Sequence, residues 1–128
     1  MDLKTLRRLA KERTRLDLVV QGVGIYRKEL DAEIRFNMAG MKECINQPFN
    51  PYADKINLLI SGLEEALACA TYLGFTTFQT HPKPHVLGYH YFKTEIGGKT
   101  AYFNIQMTVQ KQHFLYSITE TLHWDQLE

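Results

Sequence analysis

The chain has 128 residues, of which 45% are hydrophobic and 23% are charged, and these values are typical of a single globular domain spanning residues 1–128. A formal net charge of +1 excludes a strongly basic protein, although it leaves room for a local basic patch. No apolar run approaches the roughly 20 residues that a membrane span needs, and the N-terminus lacks the features of a secretory signal, so we expect a soluble, cytoplasmic protein without membrane contact.

Residues 2–15 predict a short amphipathic helix with a basic face. Helical spacing places the leucines on one side of this helix and the basic residues on the other: Arg7, Arg8, Lys11 and Arg13. The simplest interpretation of this face is a solvated surface. In the stretch that follows, residues 16–36, Gly22 and Gly24 interrupt an imperfect alternation of apolar and polar residues, which indicates a strand or hairpin.

Two further segments have helical patterns. The sequence NMAGMKECINQ is expected to form a short helix that ends at Pro48. Residues 53–73 predict one long helix with Gly74 as its C-cap, because they carry an apolar stripe at helical spacing: Ile56, Leu59, Ile60, Leu63, Leu67 and Ala70. Cys44 and Cys69 lack the spacing of a zinc site, so we expect buried, reduced thiols.

Three strands are predicted near the end of the chain, at about 88–96, 100–109 and 113–120, after the prolines of HPKPH interrupt a first β-favouring run. Gly97 and Gly98 form a two-residue hairpin signal between the first two of these strands. Alternation assigns an apolar set to the face that the long helix would cover: Phe92, Ile96, Phe103, Ile105, Met107, Phe114, Tyr116 and Ile118. The sequence thus predicts an α+β fold in which N-terminal helices pack on one face of an antiparallel sheet.

The opposite face of this sheet is polar but carries few charges. Its members are mostly uncharged hydrogen-bonding groups: Lys93, Tyr102, Asn104, Gln106, Ser117 and Thr119. A solvated face is the simplest interpretation, but such a face is usually rich in Lys and Glu. Lysine can stabilise charge on a phosphate, Tyr102 can stack on an RNA base, and the nearby histidines suit proton transfer. The composition therefore also fits a site that acts on RNA.

The histidines before Lys93 have an alternative use as metal ligands. His81, His85 and His90 lack a carboxylate or cysteine at ligand spacing, and the intervening prolines prevent a helix that would align them. We therefore expect neither a metal nor another cofactor. The sequence gives even less support for a serine hydrolase, because it has no G-x-S-x-G motif.

The chain resembles a known group of domains over about residues 36–120. The resemblance rests on FNMAGMKECINQPFNPYADKINLLISGLEEALACATYLGF, HYFKTEIGGKTAYFNIQM and FLYSITE. Its most specific pieces are Gly40-Met41-Lys42-Glu43 through Asn46-Gln47-Pro48 and the strand that ends in Tyr116-Ser117-Ile118. Similar small domains occur in polyvalent proteins of phages and mobile elements and are grouped with the barnase–EndoU–colicin–RelE-like nuclease fold.

This resemblance implies an RNase-like curved sheet and a toxin-like or phage-associated RNase that works without a metal, by attack of the RNA 2′-hydroxyl on its own phosphate. It implies His90 as general acid or base and Lys93 as the phosphate-binding cation, with Ser117 and Thr119 as hydroxyl groups of the last strand. The substrate would be oriented by Tyr102, Asn104 and Gln106. Alternation puts His90 on the core side, so its role requires a bulge near Gly88 that turns it outward.

The expected partners are RNA and either a cognate inhibitor or a larger polyvalent protein. The alternative function is a catalytically inactive RNA- or protein-binding module of the same fold, of the antitoxin or immunity type. A shared fold favours activity but does not establish a reaction.

Overall fold

The computed structural model describes residues 2–79 and 81–122. Helix α1 (Leu3–Thr14) continues into a π-helical turn (Arg15–Val19) and is followed by strands β1 (Ile25–Arg27) and β2 (Ala32–Arg35). Next come α2 (Met38–Asn46), α3 (Tyr52–Ile60), α4 (Leu63–Cys69) and β3 (Thr71–Thr76). Strands β4 (Val86–Ile96), β5 (Lys99–Thr108) and β6 (His113–Thr119) complete the described fold.

The six strands form one curled sheet in the order β1-β2-β6-β5-β4-β3, with the helices on one side, so the predicted α+β architecture is confirmed. Neighbouring strands are antiparallel except β2 and β6, which pair in parallel through only two residue pairs, Ile34 with His113 and Arg35 with Phe114. Gly97 and Gly98 form the β4–β5 turn at φ 59° and 75°, values that favour glycine.

The prediction of a single helix over residues 53–73 is wrong, because the chain forms two helices there, α3 and α4. Ser61 is extended, and Gly62 has a left-handed φ of 95°, which interrupts the helical hydrogen bonding between α3 and α4. Gly74 is not a C-cap but lies inside β3, where the pairing with β4 shifts between Tyr72 and Gly74. The apolar stripe is nevertheless buried at Ile56, Leu59, Leu63, Leu67 and Ala70 in the same core as the sheet residues, while Ile60 is half-buried.

Simple alternation also fails in β6. A bulge lies at Tyr116, since Asn104 of β5 pairs with Ser117 whereas Ile105 pairs with Leu115. Tyr116 is the extra residue, and its side chain lies away from the core, contrary to the prediction. Leu115 lies on the core side instead and is fully buried. Ser117 and Thr119 keep the expected side of the sheet, next to Asn104 and Tyr102.

The predicted first helix and the hairpin after it are confirmed, although residues 15–19 extend the helix rather than begin a strand. Cys44 is buried and Cys69 is exposed, so only the former is the buried thiol that we expected; neither forms a disulfide. Within residues 2–79 and 81–122, no helix is long and apolar enough to cross a membrane.

Candidate functional site

The sheet face opposite the core carries a cavity of about 320 Å³. It is bordered by the end of α2, the loop after β3 and the three long strands. The residues that supply its polar and aromatic wall are Glu43, Gln47, Gln79, His81, Lys83, Tyr89, Tyr91, Asn104, Tyr116, Ser117 and Thr119. Its volume lies in the range of about 300–1,000 Å³ that small-molecule sites occupy.

The floor of the cavity is a hydrogen-bonded set of side chains from β5 and β6. The amide of Asn104 donates to the Ser117 hydroxyl at 2.7 Å and to the Thr119 hydroxyl at 3.2 Å. Asn104 and Ser117 are both buried, at 6% and 4% exposure, so the network fixes their orientation. Asn104 and Ser117 lie side by side because they are directly paired across the antiparallel strands β5 and β6. The bulge at Tyr116 lies next to this pair and does not shift it.

A cation stands beside an aromatic ring at one side of this floor. The Lys83 ammonium donates to the Tyr116 hydroxyl at 2.9 Å and lies 4.5 Å from the centroid of its ring. This hydrogen bond raises the pKa of Lys83, since it favours the charged form. The bulge that exposes Tyr116 thus creates the partner that holds a lysine over the cavity.

A carboxylate faces the same cavity from α2. Glu43 accepts a hydrogen bond from the Gln47 side chain at 2.8 Å, one helical turn later. Asn37 caps the start of α2 by accepting from the Gly40 N–H at 2.8 Å. Gly40 lets the helix approach β6 closely, because a Cβ at that position would lie 2.0 Å from the Leu115 carbonyl oxygen. The glycine therefore determines how near Glu43 comes to the sheet.

Two tyrosines of β4 complete the wall. Burial raises the pKa values of Tyr89 and Tyr91, so both phenols are neutral at physiological pH. The rings of Tyr89 and Tyr116 are in tilted contact, with centroids 5.7 Å apart. Together they present flat, uncharged surface beside the lysine.

Of the residues predicted for the site, Asn104, Ser117 and Thr119 line the cavity. Gln106 lies on the same face, where its amide reaches the Tyr89 hydroxyl at 3.4 Å. Lys93 and Tyr102 pair with each other across β4 and β5 on this face, towards the Gly97–Gly98 turn and next to Thr119. Lys93 is exposed there.

His90 does not join this group. It pairs with Ile105 and Phe75 on the core side of the sheet, whereas Lys93, three residues later, points to the opposite face. A bulge does occur between Val86 and Gly88, but the register is regular from Gly88 onward, so His90 is not turned outward. The geometry therefore does not support one site in which His90 and Lys93 act together on a phosphate.

The surroundings of His90 are those of a partly buried structural residue. Its Nδ1 is hydrogen-bonded to the Tyr72 hydroxyl at 2.9 Å, and its ring lies 5.5 Å from that of His113. Burial, together with the neighbouring His113, lowers the pKa of His90 to about 4, which keeps the ring neutral near pH 7. His81 instead lines the cavity, and no three His, Cys, Asp or Glu residues of the described chain converge as a metal site would require.

Sequence reasoning missed Glu43, Lys83, Tyr89 and Tyr116 as site residues. Glu43 belongs to the segment that carries the resemblance, so it could have been found there. Lys83 and His81 belong to HPKPH, whose prolines and histidines indicate only a loop or metal ligands. Tyr116 could not have been found by alternation, because the bulge reverses its side.

Comparison with known proteins gives one family. The sequence model of large polyvalent protein-associated domain 3 matches residues 1–116, which include α1 and the strands that carry most of the cavity. No curated protein and no solved structure is significantly similar to the chain. The match bears out the predicted association with polyvalent proteins and covers far more than half of the sequence, so the chain belongs to the family of large polyvalent protein-associated domain 3.

Proposed function

We propose that the cavity binds a phosphodiester of single-stranded RNA and cleaves it without a metal, by attack of the RNA 2′-hydroxyl. The observation that carries the proposal is the convergence of a carboxylate, a cation and a hydroxyl-rich floor around one cavity of about 320 Å³: Glu43, Lys83, Asn104, Ser117 and Thr119. These groups suit a reaction in which the nucleophile belongs to the substrate and the protein supplies proton transfer and fixed charge.

In this reaction the 2′-oxygen forms a bond to phosphorus while the bond from phosphorus to the 5′-oxygen breaks. Glu43 takes the proton of the 2′-hydroxyl, and the His81 side chain is the proton donor to the departing 5′-oxygen. Lys83, held by Tyr116, stabilises the negative charge that grows on the phosphate oxygens. His81 takes the place of His90, whose ring faces the other side of the sheet.

The remaining residues orient the substrate in this proposal. The Ser117 hydroxyl would donate to a phosphate oxygen from the position that Asn104 sets. The Thr119 hydroxyl, which donates to the Thr121 carbonyl at 3.0 Å, would help to hold the Asn104 amide in place. The faces of Tyr89 and Tyr91 offer stacking surface for bases, which typically contributes about 1–3 kcal/mol per base. Lys93 and Tyr102 would extend this track along the sheet towards the β4–β5 turn.

The test is cleavage of single-stranded RNA in the presence of EDTA. Glu43→Gln should lower the rate by about 100-fold or more, as is usual when a general base is removed. Lys83→Met, which keeps packing against the Tyr116 ring but removes the charge, should cost a comparable factor. The matched control is Lys28→Met, because Lys28 is exposed in the β1–β2 turn and is not among the residues that line the cavity. Equal rates in the wild type and all three variants would place the chemistry elsewhere.

A binding module is the second candidate function, because the same pairing of charged groups also suits it. Glu43 and Lys83, the base and the phosphate-binding cation of the proposed reaction, are each held by a neighbouring side chain, Gln47 and Tyr116. Such pairing suits a rigid recognition site as well as a catalytic one. RNA binding that Lys83→Met weakens, without cleavage by the unmodified chain, would identify this second function.

A further inference from the structure

Helix α1 and Arg15, the first residue of the π-helical turn that continues it, present a row of basic side chains on their exposed side. Their spacing of four, three and four residues places them on one helical face, across about 16 Å of helix: Lys4, Arg8, Lys11 and Arg15. We call these four residues the α1 basic row. All four are exposed, whereas Ala10 and Thr14 of the same helix are buried against the domain.

The cations of the α1 basic row have no direct ion-pair partner among the described residues. None of the four makes an ion pair or a side-chain hydrogen bond with another described residue. Arg13, which lies outside the row, is paired with Asp17 at 3.0 Å. The acidic N-cap, Asp2, is occupied by the Thr5 N–H at 2.7 Å, although the charge of Arg8 also helps to lower its pKa. Glu12 is the other exposed carboxylate on this helix.

Charge is unevenly distributed along the chain. Residues 2–20 hold six of the 15 basic and three of the 14 acidic residues, which gives this segment a formal charge of +3. The rest of the sequence, with nine basic and 11 acidic residues, carries −2. The α1 basic row is therefore a local positive surface on a domain that is otherwise slightly acidic.

A contact connects this helix to the cavity. The Arg7 guanidinium donates to the Asn46 side chain at 2.7 Å, and Gln47, the next residue, lines the cavity together with Glu43. The end of α2 thus lies between α1 and the proposed site. A strand that leaves the cavity past Gln47 would meet α1 first at Arg7, whose charge is exposed beside the α1 basic row.

We infer that the α1 basic row is a second RNA-contacting surface, which holds the phosphates of a single strand whose scissile phosphodiester occupies the cavity. The inference rests on the proposed function, since RNA is its occupant. The row touches phosphates only, so it adds affinity and salt dependence but no base specificity. Short RNAs that fill only the cavity would not reach the row.

The experiment compares a trinucleotide with a 20-nucleotide single strand, both 2′-O-methylated so that no 2′-hydroxyl can attack. Binding is measured by fluorescence anisotropy over a range of salt concentrations. For the long RNA, Arg8→Gln with Lys11→Gln should reduce the log–log salt slope by about 1.4, because each phosphate that a cation neutralises adds about 0.7 to the slope. Trinucleotide affinity should not change. Glutamine preserves helix propensity, and thermal unfolding checks the fold.

The matched control removes two exposed turn lysines, Lys28→Gln with Lys111→Gln, and should leave the slope of the wild-type chain unchanged. If the salt slope for the long RNA is the same in the α1 and control variants, the inference is overturned. Lys83→Met tests the cavity independently of this result. The reverse pattern, in which Lys83→Met has no effect and the α1 variant does, would keep this surface and reject the cavity. Polyglutamate of 20 residues that binds as tightly as the RNA would reject RNA as the occupant, and absence of RNA binding at low salt would reject both proposals.

Discussion

Replacing Gly40 with alanine tests the contact that positions α2. On helix propensity alone this substitution should stabilise the domain by up to about 1 kcal/mol, because glycine is the poorer helix former. The structure predicts the opposite sign. A Cβ at residue 40 would lie 2.0 Å from the Leu115 carbonyl oxygen and 3.1 Å from its carbon, and both atoms are backbone atoms of a paired strand.

The obstruction cannot be relieved by a side-chain rotation, because the opposing atoms belong to β6. Either α2 or β6 has to move by about 1.4 Å to bring this contact from 2.0 Å to an ordinary van der Waals distance. Overpacking of this kind typically costs about 1–3 kcal/mol. Because the opposing atom is backbone and only 2.0 Å away, the upper part of this range, about 2–3 kcal/mol, applies. After a propensity gain of about 1 kcal/mol is subtracted, we expect Gly40→Ala to lower the free energy of unfolding by about 1–2 kcal/mol.

The assay is urea unfolding monitored by circular dichroism, with the slope m compared between variants. The control is Ala39→Gly at the exposed neighbouring position, where only the propensity term applies, so a decrease of about 0.5–1 kcal/mol is expected. Because α2 also carries Glu43, Gly40→Ala should also slow the proposed cleavage of RNA. A Gly40→Ala protein as stable as the wild type, or more stable, would refute the close packing of α2 on β6.

Two further predictions concern the core and its histidines. Leu63→Ala should lower the free energy of unfolding in urea by about 2–5 kcal/mol, because Leu63 is 2% exposed in the core. The control Leu3→Ala, at a position that is 55% exposed, should change it by less than about 0.5 kcal/mol. Similar effects of the two substitutions would contradict the core assignment. Burial lowers the pKa of His90 from 6.5 to about 4, so the unfolded chain binds this proton first and stability should fall by at most about 3 kcal/mol as the pH drops from 6.5 towards 4. His90→Phe should flatten this pH dependence, and parallel stability curves for the two proteins would show that His90 titrates normally.

Much of the fold follows from local patterns. The three C-terminal strands were predicted within two residues of their observed bounds, since β-favouring composition and the Gly97–Gly98 turn are short-range features. The break between α3 and α4 was missed, because glycine within an apolar helical pattern is often tolerated and only the backbone conformation of Gly62 reveals the interruption. The hydrophobic stripe itself does not depend on that break, which is why its burial was predicted correctly.

The site was predicted less well than the fold, for a physical reason. Asn104, Ser117 and Thr119 could be assigned to one face by alternation within strands, and they line one cavity. Glu43, His81 and Lys83 come from α2 and the loop after β3, so their proximity depends on tertiary packing that has no sequence periodicity. Tyr116 required knowledge of a one-residue bulge, which reverses the side of every residue on one part of a strand.

The close approach of α2 to β6 also has a consequence for association between molecules. Strand β2 pairs with β6 through two residue pairs only, and without α2 the remainder of β6 would present unpaired N–H and C=O groups. Such an edge can recruit a strand from another chain, which is the usual start of β-aggregation. Helix α2 therefore covers this edge of the sheet in addition to positioning Glu43. Changes that loosen this helix should favour self-association before they unfold the domain.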